Sequence, residues 1–159
     1  MSYQAVILTV SDSCAAGTRT DTSGPAIRAM LENAGFAVQA MQTVPDEEGQ
    51  ISAAIVHACD ILQADLVVTT GGTGLSPRDV TPEATLAVLD REIRAIPVAM
   101  WVEGLKSTPR AMLSRAVAGI RGHTLVLNVP GSEKAARENL GAVAATLDHA
   151  LRMLAGGGH

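Results

Sequence analysis

Asp65–Thr70 (DLVVTT) runs directly into Gly71-Gly72-Thr73-Gly74. A short run rich in β-branched and apolar residues, closed by three glycines in four positions, reads as a buried strand ending in a loop. After the loop, Thr81-Pro82-Glu83 opens a helix, with Thr81 as its cap, Pro at the first helical position and Glu in the first turn. That helix is expected to run to about Arg91. Strand, glycine loop and helix in this order form one half of a βαβ unit, and the rest of the chain repeats the alternation.

Upstream, Ala5–Val10 (AVILTV) is another continuous apolar run, and the polar Ser11-Asp12-Ser13 after it reads as loop, as does Ala15–Gly24. Pro25–Asn33 has helical spacing at Ile27, Met30 and Leu31, with Gly35 as the stop. Phe36–Val44 reads as a strand ended by Pro45-Asp46. Glu47–Leu62 puts Ile51, Ala54, Ile55, Ala58, Ile61 and Leu62 on one helical face. Downstream, Ile96–Leu105 reads as helix, Met112–Ile120 as extended chain, Arg121-Gly122-His123 as a turn and Thr124–Val129 as a strand. Glu133–Leu154 is a last amphipathic helix, and Gly156–His159 is expected to be a frayed, disordered tail. The alternation predicts one α/β domain over residues 1–159. Its fold class is a three-layer αβα sandwich with a mostly parallel sheet, and 112–128 adds an antiparallel hairpin.

Composition agrees. Of 159 residues, 47% are hydrophobic and only 2% aromatic, so the core must be aliphatic. A net charge of -4 with no basic run argues against nucleic acid as a partner. No apolar run approaches the ~20 residues needed to span a bilayer, and the first ten residues lack the features of a signal peptide. The expectation is a cytoplasmic protein without membrane contact. Two isolated cysteines, Cys14 and Cys59, make no disulfide framework, and the four histidines show no zinc spacing.

In open α/β sheets ligands gather beyond the carboxyl ends of the strands. Ser11–Cys14, Pro45-Asp46, Gly71–Asp79 and Pro130–Ser132 all leave strand ends, so parallel strands would bring them to one edge. Gly71, Gly72, Thr73 and Gly74 offer close-approaching backbone amides suited to an anion, or simply a tight connection. Asp46 and Asp79 could together hold Mg²⁺, whereas alone Asp46 would cap a helix and Asp79 a turn. Asp12 suits either part. Arg78 could clamp a phosphate or bridge to an acidic neighbour. Ser132 with Lys134 and Arg137 could meet an anion at the last helix's N-terminus. Ser114 and Arg115 are further candidates.

TVSDS (Thr9–Ser13), VPDE (Val44–Glu47), TTGGTG (Thr69–Gly74), SPRDVTPEAT (Ser76–Thr85), AMLSRAVAGIRG (Ala111–Gly122) and NVPGS (Asn128–Ser132) resemble the molybdopterin adenylyltransferase family, with its bacterial MogA and MoaB types and the G domains of plant Cnx and gephyrin. The resemblance implies a trimeric three-layer sandwich that joins AMP from Mg-ATP to molybdopterin and hands the product to a molybdenum insertase. It implies that Asp46 and Asp79 are the essential acids; for such a reaction Mg²⁺ held by Asp79, alone or with Asp46, would neutralise the triphosphate, the alternative for Asp46 being to bind or orient the substrate. It places nucleotide phosphates at Gly71–Gly74, and substrate at Ser11, Asp12, Ser13, Ser114, Arg115, Pro130, Gly131 and Ser132. Two departures touch the pocket rim: Glu133-Lys134 after NVPGS, and Ala95-Ile96-Pro97-Val98 where relatives carry MPG. A carrier or scaffold on the same fold is the alternative, and a nucleotide pyrophosphate hydrolase a more distant one.

Overall fold

The computed structural model describes residues 2–158. The strands are β1 (Gln4–Val10), β2 (Ala37–Val44), β3 (Leu66–Thr70), β4 (Arg91–Glu92), β5 (Ala118–Arg121) and β6 (Thr124–Val129). The helices are α1 (Asp12–Ala15), α2 (Ser23–Asn33), α3 (Glu48–Val56), α4 (Thr81–Leu86), α5 (Ala95–Leu105) and α6 (Glu133–Leu154). One six-stranded sheet has the order β2-β1-β3-β6-β5-β4. Strands β2, β1, β3 and β6 are parallel, and β5 and β4 complete the sheet antiparallel. The expected three-layer sandwich and its hairpin are therefore present.

The alternation of strand side chains explains the layers. Ile7, Val68, Leu125 and Leu127 face one side and pack against Ile27 and Leu31 of α2 and Leu140, Leu147 and Leu151 of α6. Val6, Leu8, Val67 and Val126 face the other and pack against Ile51 and Ile55 of α3. Both faces of the central strands are covered, which is why they read as unbroken apolar runs. The stop after α2 is as expected: Gly35 turns to φ +92°, and Phe36 N–H reaches back to Leu31 O at 3.0 Å. At the far end, Gly157 N–H closes α6 on Arg152 O in the same way, at 2.9 Å. His159 of the expected tail lies outside the described residues.

Several local expectations are corrected. Ser11–Ser13 is not plain loop: Ser11 Oγ accepts from Cys14 N–H at 3.2 Å and caps the single turn α1. The Glu47–Leu62 helix is α-helical only to Val56 and widens into a π-turn over His57–Ile61, where the Arg121 fork holds Asp60. Thr81 is not the cap of α4 but its first residue, with Val80 at the cap, and its hydroxyl donates to Gly71 O at 2.9 Å. Nor does α4 reach Arg91. Asp90 N–H donates to Ile120 O at 2.8 Å and the Asp90 carboxylate accepts from Gly122 N–H, so the β5–β6 hairpin captures the chain and Arg91–Glu92 becomes an edge strand. Met112–Ile120 is extended only in part. Pro109–Leu113 forms a 3-10 turn, and 114–117 is an irregular strap before β5.

Candidate active site

β2 lies on one side of β1 and β3 on the other, so the chain reverses its direction of sheet growth between β1 and β3. The carboxyl ends flanking such a switch point diverge and leave a crevice. Here the loops after β1, β2, β3 and β6 meet there, as expected. Gly71 N–H extends the ladder to Val129 O, and Ser11 N–H extends it to Val44 O. Thr70 Oγ1 donates to Pro130 O at 2.7 Å and Ser23 Oγ to Gly131 O at 2.6 Å, which pins the loop before α6 against β3 and α2.

The loops enclose two cavities. The larger, about 600 Å³, is walled by Gly72–Gly74, the strap residue Ser114 and one side of α6. The smaller, about 380 Å³, is walled by Thr9–Ser11, the loop 19–23 and Asp46. Gly72, Asp79, Gly131 and Ser132 line both, so Asp79 stands at the junction of a bilobed cleft. Among the described residues, none accepts a hydrogen bond from the N–H groups of Gly72, Thr73 or Gly74. Three successive amides without a protein acceptor, in a cavity wall, form a concavity for an anion.

The acids are arranged unequally. Asp12 and Asp46 hold each other through reciprocal bonds: each backbone N–H donates to the other's carboxylate at 2.9 Å. The Arg78 guanidinium forks onto Asp12 with two bonds of 3.0 Å and also reaches Glu47 at 2.9 Å. These Arg78 bonds, with the Asp46 amide, hold the Asp12 carboxyl below its usual range. Asp46 is pushed up, first by burial and then by the charges of Asp12 and Asp79; the Asp12 amide and Arg78 oppose the shift. Asp79 Oδ2 accepts from Ser76 N–H at 3.0 Å, the turn bond considered for it alone. A Cβ placed on Gly72 would lie 2.2 Å from Thr81 Oγ1 and 3.1 Å from Asp46 Oδ1, which shows how closely the amide loop passes Asp46. Among the described residues no cluster of three or more metal-ligating side chains forms. The pair Asp46 and Asp79 fits instead the mode in which Mg²⁺ takes one or two carboxylates and completes its shell with water and phosphate.

Not every sequence candidate reaches the cavities. Gly71–Gly74, Ser11, Asp46, Asp79, Ser114, Pro130, Gly131 and Ser132 line one or both lobes. Asp12, Ser13, Arg78 and Arg115 line neither lobe. Arg115 works as a staple: its backbone N–H donates to Thr73 O at 2.8 Å, Nε to Gly74 O at 2.8 Å and Nη2 to Asp79 O at 2.7 Å. Its Nη1 pairs with Glu83, whose carboxyl is held low by that bond. Arg115→Ala is expected to free the loop 73–79 and lower stability by about 1–3 kcal/mol. Arg115→Lys should not restore it, because one ammonium cannot span three acceptors. Thermal melts with hydrogen exchange over 71–79 read both effects.

The sequence reading missed Asp21, which accepts from Thr9 Oγ1 at 2.7 Å and from Gly24 N–H in the wall of the smaller lobe. It also missed Ser107, Thr108, Arg110, Glu138 and Asn139 in the larger lobe. Glu138 and Asn139 lie one helical turn beyond Lys134 and Ala135 on a single face of α6, a spacing that could have marked them.

An open three-layer α/β protein with an amide-walled cleft at the switch point of its sheet has the architecture of the α/β proteins that take a small molecule at that crevice. Within that class the chain belongs to the family described as "Probable molybdopterin binding domain", which matches residues 6–149. The molybdopterin biosynthesis enzyme MoaB of Thermus thermophilus is 49% identical, with a TM-score of 0.92 over 97% of each chain. Cinnamon, a molybdenum cofactor synthesis protein of Drosophila melanogaster, is 40% identical over 93% of this chain, which spans 25% of that larger protein. The molybdopterin adenylyltransferase of Helicobacter pylori (strain J99) is 38% identical, with 94% of this chain and 86% of that protein covered. No helix among the described residues is long and apolar enough to cross a membrane.

Proposed function

We propose that the protein is a molybdopterin adenylyltransferase acting in molybdenum cofactor biosynthesis. A terminal phosphate oxygen of molybdopterin attacks the α-phosphorus of ATP. The bond from that phosphorus to the bridging oxygen breaks, and pyrophosphate leaves with the electron pair. The observation that carries the reading is the joined cleft: Asp79 and Gly72 line both lobes, Asp46 lines the smaller and Thr73 and Gly74 the larger, with the amides of Gly72–Gly74 free of protein acceptors. A two-lobed cleft suits two substrates whose phosphates must lie in line. Little covalent help is needed, since the nucleophile is already an ionised phosphate and the work is positioning and charge compensation. Asp46 and Asp79 are the residues that would hold Mg²⁺, which supplies neutralisation of the triphosphate. The backbone amides would hold phosphate oxygens without side-chain reorganisation. Arg78 acts in this reading through Asp12, whose carboxylate it orients toward the Asp46 amide.

The finer features follow from the same reading. Val98, Val102 and Leu105 form an exposed apolar stripe along α5, continued by Met112 and Leu113, which supports burial in a homotrimer. Two free cysteines and the use of ATP suit the cytoplasm, with the product handed to a molybdenum insertase. The test is pyrophosphate release from ATP, Mg²⁺ and molybdopterin, run beside light scattering. The expected result is one pyrophosphate per adenylylated pterin, at the mass of three chains. Tight pterin binding without pyrophosphate would instead assign a carrier, and pyrophosphate without pterin a hydrolase.

A further inference from the structure

Along α6 the larger lobe extends from Ser132, which with Gly72 and Asp79 also lines the smaller lobe, toward Glu138 and Asn139, which line the larger lobe alone. The glycine loop offers donors to a phosphate. The α6 wall offers acceptors. Glu138 Oε1 accepts from Ser107 Oγ at 3.1 Å and lies 4.0 Å from the exposed Lys134 Nζ, while among the described residues nothing donates to Oε2. Asn139 is 4% exposed, and its Nδ2 is committed to Ala135 O at 2.9 Å. That bond fixes the amide orientation, and no described group donates to Oδ1. Among the described residues the sealed, unpartnered side-chain polar atom is Trp101 Nε1, so Asn139 Oδ1 opens to the lobe.

We propose that Glu138, with Asn139 beside it, is the specificity element of the larger lobe and reads the donor edge of a pterin, the ring N–H and its neighbouring exocyclic amine. The inference rests on the reading above. A carboxylate accepts at both oxygens and donates nothing. It therefore matches a heterocycle edge made of two adjacent donors and mismatches adenine, whose corresponding edge alternates acceptor and donor. The arrangement assigns the larger lobe to a heterocycle carrying a phosphate tail, with the ring at α6 and the phosphate at the glycine loop. Glu138 is half-buried, its side chain 25% exposed, and Asn139 beside it is buried, so a ligand seated in the lobe shields both and the wrong ring edge leaves them unpaired.

The test uses 6-hydroxymethylpterin phosphate, followed by its fluorescence, against the matched lumazine phosphate, in which an oxygen replaces the exocyclic amine. The full-length protein should prefer the pterin by at least about 10-fold. Glu138→Gln should weaken pterin binding by on the order of 10–100-fold, collapse the preference over the lumazine, and leave affinity for ATP unchanged. Asn139→Leu should weaken pterin binding alone to a smaller degree, and equal melting temperatures certify that both variants are folded. Unchanged pterin affinity in Glu138→Gln, loss of ATP affinity instead, or no binding of the probe to the parent protein would each overturn the proposal. Normal AMP transfer with no effect of Glu138→Gln sinks this inference and spares the function. Selective pterin binding without AMP transfer does the reverse.

Discussion

Asp79→Asn is expected to abolish AMP transfer, lowering kcat by on the order of 10³-fold or more while the fold stays intact. Asp79 is the acidic side chain that lines both lobes, so it sits where the two phosphates must meet. Its own structural duty is small: one bond accepted from Ser76 N–H, which an asparagine oxygen also accepts. Asp46→Asn is expected to cost about 10²-fold, and its effect on stability has a definite sign. Burial first, then the neighbouring charges of Asp12 and Asp79, raise the Asp46 carboxyl above its unfolded value of 3.8. As pH rises through that interval the unfolded chain ionises Asp46 before the folded protein does, so this group's contribution to stability falls and stays lost at neutral pH. Removing the charge relieves that cost, and the variant should melt at the parent temperature or slightly above it at pH 7. Activity lost together with several degrees of melting temperature would make these acids structural. Full turnover in both variants would remove them from the chemistry.

The two kinds of residue in this cleft differ in how visible they were in the sequence. The central strands and α6 follow from local periodicity, because a strand buried on both faces and a long amphipathic helix each carry their own signature, whereas the exposed edge strand β4 carries none and reads as the end of a helix. The junction residues follow too, since Asp46, Asp79 and the glycines sit on loops that a parallel sheet must bring to one edge. What local pattern could not convey was competition among partners. Thr81 has the look of a helix cap, yet Gly71 O claims its hydroxyl. Arg78 has the look of a phosphate clamp and Arg115 that of a substrate contact, yet protein carboxylates and carbonyls already occupy both guanidiniums. Glu138 and Asn139 were hidden for the opposite reason: on a helix surface a charge and an amide read as solvated, and only the segment 107–114, with its 3-10 turn, lining the same cavity as α6 turns that face into a cavity wall. Sequence separation of the partners, rather than weakness of the interactions, is what concealed them.

Gly71→Ala is expected to be the most destabilising single-methyl change in the protein's glycine loop, costing about 3 kcal/mol or more. Two independent effects add. Gly71 sits at φ +100°, where an L side chain strains the backbone by about 1–2 kcal/mol. In addition, a Cβ there would lie 2.2 Å from Val10 O, a main-chain atom of β1 that cannot swing aside. Nor can the loop retreat, because Gly71 N–H is bonded to Val129 O at 3.2 Å and Gly71 O accepts from Thr81. Gly35 provides the control. It also has positive φ, +92°, but nothing lies within 4 Å of its added Cβ. Gly35→Ala should therefore cost only the dihedral share, about 1–2 kcal/mol. For a domain of this size the two variants should melt about 10 °C and about 3–5 °C below the parent. Only Gly71→Ala should also lose ATP binding, since it moves the amides of Gly72–Gly74 and the other variant does not. Equal melting temperatures for the two would mean the glycine loop yields where β1 meets β3, and the rigid amide wall on which the phosphate site depends would not exist.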